Sequence, residues 1–172
     1  MARKALYAAR AERPAPGKDT KIITAWNGLM ISAFARASRV LLEPSYAEVA
    51  RRAAAFILGS MEAADGTLMR SWTEGVARHR GVLDDYAFVV AGLLDLYEAT
   101  AEPQWLAAAL RLNAVMLEKF EDGDKGGFYL TADDAEELLV RDKPDYDGAL
   151  PSGNSVALAN LLRLAELTDE ER

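Results

Sequence analysis

The sequence predicts an all-α fold, an incomplete toroid built from helical hairpins with short β-hairpin connections. Apolar residues recur at spacings of three and four in five long segments, which is the period of helices with one buried face. An apolar inner helix, an amphipathic outer helix and an acidic, glycine-containing turn repeat along the chain. Hairpins that cannot bury their faces alone must stack, and a ring is favoured over a solenoid because these hairpins share no consensus.

The first hairpin is preceded by a short helix over residues 2–12, which ends before a proline-rich segment. The first inner helix starts at Asn27 and continues to Leu41. Pro44 ends this segment, and Ser45 followed by Glu48 predicts a capping box at the start of an outer helix.

The second hairpin begins at Asp85, and its inner helix is apolar nearly all round. Its outer helix starts at Pro103, a residue well tolerated in a first turn, and continues to about Phe120. After a glycine-rich turn, the short apolar runs 128–130 and 138–140 are predicted to pair as a small β-hairpin.

The third inner helix starts at Asn154 and extends through Leu167. Thr168 and Glu171 then form a capping-box pattern, which predicts the start of another outer helix. We therefore expect residues 1–172 to be a fragment of a larger ring, with the third hairpin incomplete. Such a fragment exposes apolar faces, so self-association is expected.

Composition excludes several classes of function. The net charge of −7 and the pI near 4.8 argue against nucleic-acid binding, which needs clustered Lys and Arg. The absence of cysteine and the single histidine argue against a zinc site or a thiol nucleophile, and no cofactor is predicted. No segment has the length of a membrane span, and cytoplasm is the default location.

Three motifs carry a family resemblance that covers nearly the whole chain. They are the segment DTKIITAWNGLM over residues 19–30, LDDYA over 83–87, and DGALPSGNS over 147–155. The chain resembles the helical region of the thioredoxin-domain-containing family typified by spermatogenesis-associated protein 20.

The resemblance implies a longer parent in which a thioredoxin-like domain precedes an (α/α)6 barrel of the six-hairpin glycosidase type. That barrel is related in architecture to N-acylglucosamine 2-epimerases. This chain would hold about three of the six hairpins, and its lack of cysteine indicates that the thioredoxin part is not included. The remaining hairpins and the thioredoxin-like domain would be its partners.

If the inner helices are parallel, the polar residues at their starts converge on one rim. Such a rim suits a saccharide, because sugars are bound by aromatic faces and by amide or carboxylate groups in a concave site. Asp85 and Asp147 are the candidate catalytic pair, since glycosidic cleavage needs two carboxyl groups. The candidate substrate-binding residues are Trp26, Asn27, Asp84, Tyr86, Ser152 and Asn154.

Each candidate also has a structural interpretation. Asp, Ser and Asn at helix starts are common caps, and for Trp26 a place in the core is an interpretation of equal weight. His79 is the only histidine, so a pair of histidines of the epimerase kind is absent from this chain. Two hypotheses follow: a fragment of a carbohydrate-active hydrolase or epimerase, or a non-catalytic domain that serves the thioredoxin-like domain.

Overall fold

The computed structural model describes residues 2–136 and 139–168, which form six helices and one three-stranded antiparallel sheet. The helices are α1 (Ala2–Ala11), α2 (Thr24–Leu41), α3 (Pro44–Ser60), α4 (Leu83–Thr100), α5 (Pro103–Phe120) and α6 (Gly153–Thr168). The strands are β1 (Ile22–Ile23), β2 (Met69–Thr73) and β3 (Val76–Arg80), in the order β1-β2-β3. The predicted all-α fold with short β connections is confirmed.

The inner helices α2 and α4 are parallel neighbours. Near their starts, the backbone N–H of Ala25 on α2 donates to Asp85 on α4 over 2.9 Å. About three turns later, the guanidinium of Arg36 donates to Asp95. Contacts that advance together along both helices occur only when the helices run in the same direction.

The third inner helix, α6, packs on the other side of α4 in the same direction. Asn160 donates from Nδ2 to the carbonyl oxygen of Ala87 over 2.8 Å, and Arg163 reaches Asp95. The central helix α4 is therefore buried on both sides, which agrees with its nearly continuous apolar sequence. The starts of all three inner helices lie at one end of the assembly, here called the start rim.

Two glycines let α2 and α4 approach closely. A Cβ on Gly28 would lie 2.5 Å from the backbone carbon of Phe88, and one on Gly92 would lie 2.7 Å from the carbonyl oxygen of Gly28. Since real Cβ contacts are not this short, any side chain at either position would push the two helices apart.

The outer helices cover the inner layer through alanine-rich faces. On α3 the buried face is formed by Ala47, Ala50, Ala54 and Ile57. The predicted capping box of Ser45 and Glu48 is wrong.

At the start of α3, Pro44 occupies the first helical position, where its fixed φ and missing N–H are tolerated. Glu43 is consequently the cap, and its side chain accepts from the backbone N–H of Ser45. Glu48 instead forms an ion pair with Arg51.

The β-hairpin lies in a different connection from the predicted one. Strands β2 and β3 join α3 to α4 through a turn at Glu74 and Gly75, both with positive φ. The predicted pairing of 128–130 with 138–140 is wrong, because Leu130 donates its N–H to Asp142 instead. Residues 139 and 140 are exposed and belong to no strand, and Leu138 lies outside the described residues.

The short helix α1 is confirmed, with its end one residue earlier than predicted. None of its residues is buried. The predicted capping box at Thr168 and Glu171 is not testable, since Glu171 lies outside the described residues. Thr168 itself is the last residue of α6, where its hydroxyl donates to the Leu164 carbonyl.

Candidate functional site

Asp85 is the central carboxylate of the start rim. Its side chain is 1% exposed. One oxygen accepts the N–H of Ala25 at the start of α2, and the other accepts the N–H of Val82, the cap of its own helix, each over 2.9 Å. Burial raises the pKa of Asp85 to about 6, against the opposing effect of these N–H groups and of Arg70. Asp85 therefore joins two hairpins.

Asp84 differs from its neighbour because its carboxyl group is half-buried and incompletely bonded. Burial raises the pKa of Asp84, while Arg70 and the backbone of Gly153 act in the opposite direction. Its Oδ1 has no hydrogen-bond partner of ordinary geometry among the described residues. The same atom faces the start of α6, where a Cβ on Gly153 would lie 2.4 Å away.

Tyr86 is a core residue and not a platform for a ligand. The residue is 2% exposed, and its ring packs against Phe120 with centroids 5.2 Å apart. Its hydroxyl accepts the N–H of Leu68 over 2.9 Å, which fixes the connection between α3 and β2. The predicted substrate-binding role of Tyr86 is thus corrected, because the ring would have to leave the core to touch a sugar.

Asn27 and Asn154 both use their amide groups on the backbone. Asn27 lies within the first turn of α2, since the helix starts at Thr24, and it donates to the carbonyl of Ile23. Asn154 accepts the N–H of Phe128 over 2.7 Å and donates to the carbonyls of Phe128 and Pro144. The side chain of Asn154 thus attaches the segment before α6 to the start of that helix.

Asp147 and Ser152 lie in the turn that leads into the start of α6. Asp147 accepts the N–H of Ser152 over 2.8 Å and the hydroxyl of Ser155 over 3.0 Å. These two donors lower the pKa of Asp147, so this exposed carboxylate is ionised. Ser152 is buried, and its hydroxyl accepts the N–H of Ser155 as a helix cap does.

Trp26 is an exposed aromatic residue at the start rim. It is 61% exposed, directly after Ala25 in the first turn of α2. The alternative of a core aromatic is therefore wrong. Arg70, also half-exposed, reaches toward Asp85 with 3.9 Å between the charged groups.

The two predicted catalytic carboxyl groups have opposite electrostatic environments. The pKa of Asp85 is raised by burial, and the pKa of Asp147 is lowered by hydrogen bonds. Separated pKa values are typical of acid and base pairs. Asp85, however, is shielded from any ligand by its burial and is fully used by backbone donors.

His79 lies on the exposed strand β3 with a positive φ of 59°, and not in a loop. Among the described residues, no group of three or more His, Asp or Glu side chains is arranged to hold a metal ion. Within the same part of the chain, no helix is long and apolar enough to cross a membrane.

A second polar cluster, which the sequence analysis missed, lies at the opposite end of the inner helices. Asp95 is 2% exposed and accepts from Ser32, Arg36 and Arg163. Glu98, one turn later, pairs with Arg163 and Arg39. These charges line a cavity of about 540 Å³. In the sequence, this cluster was indicated by Asp95, an acidic residue within the largely apolar segment of α4.

The Asp95 cluster is held by internal ion pairs, and its three guanidinium groups exceed its two carboxylates by one charge. Its three guanidinium groups are each paired with one or both of the carboxylates, and Val40 is the apolar residue of the cavity wall. It contains no aromatic residue. We therefore interpret the cluster as an ion-pair network that joins α2, α4 and α6, and not as a sugar site.

The fold defines the chain as part of an (α/α)6 toroid of the kind found in carbohydrate-active enzymes. Cellobiose 2-epimerase from Bacillus thermoamylovorans superposes with a TM-score of 0.74 at 18% identity, covering 91% of this chain and 42% of that one. The GH76 α-mannanase from Bacteroides thetaiotaomicron gives 0.72 at 20% identity, over 92% and 42%. At these identities the similarity shows the fold alone.

The sequence is similar to spermatogenesis-associated protein 20, which confirms the predicted resemblance. It is 43% identical to the human protein over 95% of this chain. An uncharacterised protein of Caenorhabditis elegans is 34% identical over 99% of the chain. The chain spans about a fifth of the length of these relatives, 22% and 24% respectively. No protein-family model matches the chain.

Proposed function

We propose that the start rim forms part of a saccharide site in a carbohydrate-processing toroid. The observation that carries the proposal is Asp84, a half-buried carboxyl group whose pKa is raised by burial and whose buried Oδ1 has no hydrogen-bond partner of ordinary geometry among the described residues. A general acid needs a carboxyl group whose pKa is raised above its usual range, and burial shifts the pKa of Asp84 in that direction. The toroid enzymes that share this fold include a cellobiose epimerase and a mannanase.

The other residues take supporting roles in this proposal. Asp147 is the ionised partner carboxylate, and the exposed ring of Trp26 is the stacking platform. Asp85 is a positioning residue, because it holds the starts of α2 and α4 without an exposed surface of its own. Asn154 and Ser152 hold α6 in register beside Asp84.

Hydrolysis is favoured over epimerisation as the reaction type. A hydrolase needs two carboxyl groups, and the start rim supplies Asp84 and Asp147. His79, the only histidine of the chain, lies on an exposed strand edge. Asp147 would take a proton from a water molecule as the water oxygen bonds to the anomeric carbon, and Asp84 would give its proton to the departing oxygen as the glycosidic C–O bond breaks.

Calorimetric titration of this chain with cellobiose and with a mannan oligosaccharide tests the proposal. We expect millimolar binding that weakens at least tenfold in Asp84→Asn and in Trp26→Ala. The control Glu166→Gln removes a carboxylate from an exposed position near the far end of α6 and should bind like the parent chain. Absence of binding to both sugars at millimolar concentration would overturn the proposal.

The second candidate is a non-catalytic domain that serves an attached thioredoxin-like domain. It is favoured by the number of polar groups that the backbone already uses, above all those of Asp85 and Asn154. In that case Asp84→Asn leaves every ligand measurement unchanged, and substitutions of the start rim act on stability alone.

A further inference from the structure

A second exposed aromatic residue, Tyr146, lies beside the start of α6. It is 82% exposed, more than Trp26 at 61%. In the chain it directly precedes Asp147, the ionised carboxylate of the start rim. An aromatic ring at this position therefore adjoins the proposed saccharide site from the side opposite to Trp26.

The backbone on both sides of Tyr146 is attached to the start of α6. On one side, the carbonyl oxygen of Pro144 accepts from Nδ2 of Asn154 over 2.9 Å. On the other side, the side chain of Asp147 accepts the N–H of Ser152 over 2.8 Å. Tyr146 is therefore held at the start rim, although its side chain extends into solvent.

Gly148 supports the ring of Tyr146. A Cβ on Gly148 would lie 2.9 Å from Cε1 and 3.5 Å from Cδ1 of that ring, so the ring packs directly on the glycine backbone. The φ of Gly148 is not positive, so its own backbone conformation does not require glycine. The ring accounts for the missing side chain. Tyr146 is thus supported by protein on one side and open to solvent elsewhere, as a stacking platform for a ligand must be.

Tyr146 and Trp26 lie on opposite sides of Asp84. Trp26 is in the first turn of α2 and Tyr146 adjoins the start of α6, whereas Asp84 is on α4, which packs between those two helices. Because packed helices lie about 8–10 Å apart, the two aromatic residues are separated by roughly 15–20 Å. A single sugar ring cannot contact both. An oligosaccharide that contacted both would pass the carboxyl group of Asp84 between its ends.

Arg70 adds hydrogen-bond donors beside Asp84. Its guanidinium lies 3.9 Å from Asp85, which is beyond hydrogen-bond distance, and its side chain is 49% exposed. A guanidinium has five N–H donors, and donors of this kind suit the hydroxyl groups of a sugar. The surface between the two aromatic residues is therefore polar, while its two ends are aromatic.

We propose that Tyr146 is a second stacking platform and that the start rim takes an oligosaccharide with sugar units on both sides of Asp84. The inference rests on the proposed saccharide site and adds the class of substrate, a chain of several sugar units. Gly148 is a positioning residue, because it acts through the ring of Tyr146.

Calorimetric titration with short and long sugars is the first test, using glucose with cellotetraose and mannose with a mannan tetrasaccharide. We expect the parent chain to bind one tetrasaccharide at least tenfold more tightly than its monosaccharide. Tyr146→Ala should weaken binding of that tetrasaccharide at least fivefold, and Tyr146→Trp should keep the affinity of the parent chain. The matched control Tyr7→Ala removes a tyrosine that is 75% exposed on α1 and should bind like the parent chain.

The coupling between Gly148 and Tyr146 is the second test. Gly148→Ala displaces a solvent-exposed ring, so we expect a similar loss of tetrasaccharide affinity with an unchanged midpoint of urea unfolding. In a chain that already carries Tyr146→Ala, the same substitution should have no further effect on affinity. Additive losses of affinity would contradict the positioning role of Gly148.

The outcomes separate this inference from the proposed function. Equal effects of Tyr146→Ala and Tyr7→Ala, or equal affinities for monosaccharide and tetrasaccharide, overturn the inference. Sugar binding that still depends on Trp26 would then leave the proposed saccharide site in place. Absence of binding to all four sugars at millimolar concentration overturns both.

Discussion

At the residue scale, the start rim separates two adjacent carboxyl groups into different roles. Asp85 is buried, and its two oxygens accept the N–H groups of Ala25 and Val82. Asp84 is half-buried, and its Oδ1 has no hydrogen-bond partner of ordinary geometry among the described residues. The sequence predicted that both would lie at a helix start but could not distinguish them. Their difference depends on the N–H of Ala25, which comes from another hairpin sixty residues away.

Removal of the Asp85 carboxyl group should destabilise the chain. Asp85→Ala leaves two backbone N–H groups without their acceptor in a buried site, and each such group costs about 1–3 kcal/mol. We expect the free energy of unfolding to fall by about 2–4 kcal/mol in urea denaturation. Asp145→Ala, an exposed carboxylate in the loop before α6, is the control and should change little. A loss below about 0.5 kcal/mol would contradict the account of Asp85 as a joint between hairpins.

The pH dependence of stability should carry the signature of Asp85. The pKa of Asp85 is about 6 in the folded chain and near the ordinary 3.8 of an aspartic acid when unfolded, so the folded state binds the proton more tightly. The free energy of unfolding should therefore fall as pH rises from about 4 to 6, by up to about 3 kcal/mol from this group. Asp85→Asn lacks this contribution. The free energy of unfolding of the variant minus that of the parent chain should therefore increase from about pH 4 to 6. If the free energies of unfolding of variant and parent depend on pH in the same way, the pKa of Asp85 is not raised in the folded chain.

At the element scale, the helices were predictable and their exact starts were not. Periodic apolar residues specify α2, α4 and α5 because burial of one face is a property of the segment itself. Helices α2 and α4 begin at Thr24 and Leu83, a few residues before Asn27 and Asp85, where the sequence predicts their starts. The hairpin over 69–80 was missed because its pairing is set by contacts between strands, which short apolar runs do not reveal.

The crossing of α2 and α4 should depend on a glycine. Gly28→Ala places a Cβ 2.5 Å from backbone atoms of α4, which cannot rotate away, so we expect a loss of about 2 kcal/mol or more in the free energy of unfolding. Gly59→Ala on α3 is the matched control, since nothing lies within 4 Å of its added Cβ. It should stabilise the chain by up to about 1 kcal/mol, because alanine is the better helix former. Equal effects of the two substitutions would rule out the close crossing.

At the scale of the whole molecule, the three inner helices are tied at both ends. Asp85 and Asp84 adjoin the starts of α2 and α6, and Asp95 binds Arg36 and Arg163 at the far end. The convergence at the start rim was predictable from parallel helices alone. The far end was not, because it required knowing that an Asp inside an apolar helix faces arginines of both neighbours.

Substitution of Asp95 should loosen the far end without altering the start rim. Asp95→Ala removes the common acceptor of Ser32, Arg36 and Arg163, and we expect the free energy of unfolding to fall by about 3–5 kcal/mol, as for other broken buried ion pairs. Sugar titration of the folded variant should give the same affinity as the parent chain. A large loss of affinity would move the ligand site to the Asp95 cavity.

The indole N–H resonances provide the most direct test of the saccharide site. The chain has three tryptophans in different environments: Trp26 is exposed at the start rim, Trp72 packs against Phe56, and Trp105 is buried and bonded to Glu102. In a ¹H–¹⁵N NMR titration with cellobiose and a mannan oligosaccharide, the account predicts that the Trp26 resonance shifts with a saturating millimolar curve while the other two stay in place. A stationary Trp26 resonance, or equal shifts of all three, would contradict a saccharide site at the start rim.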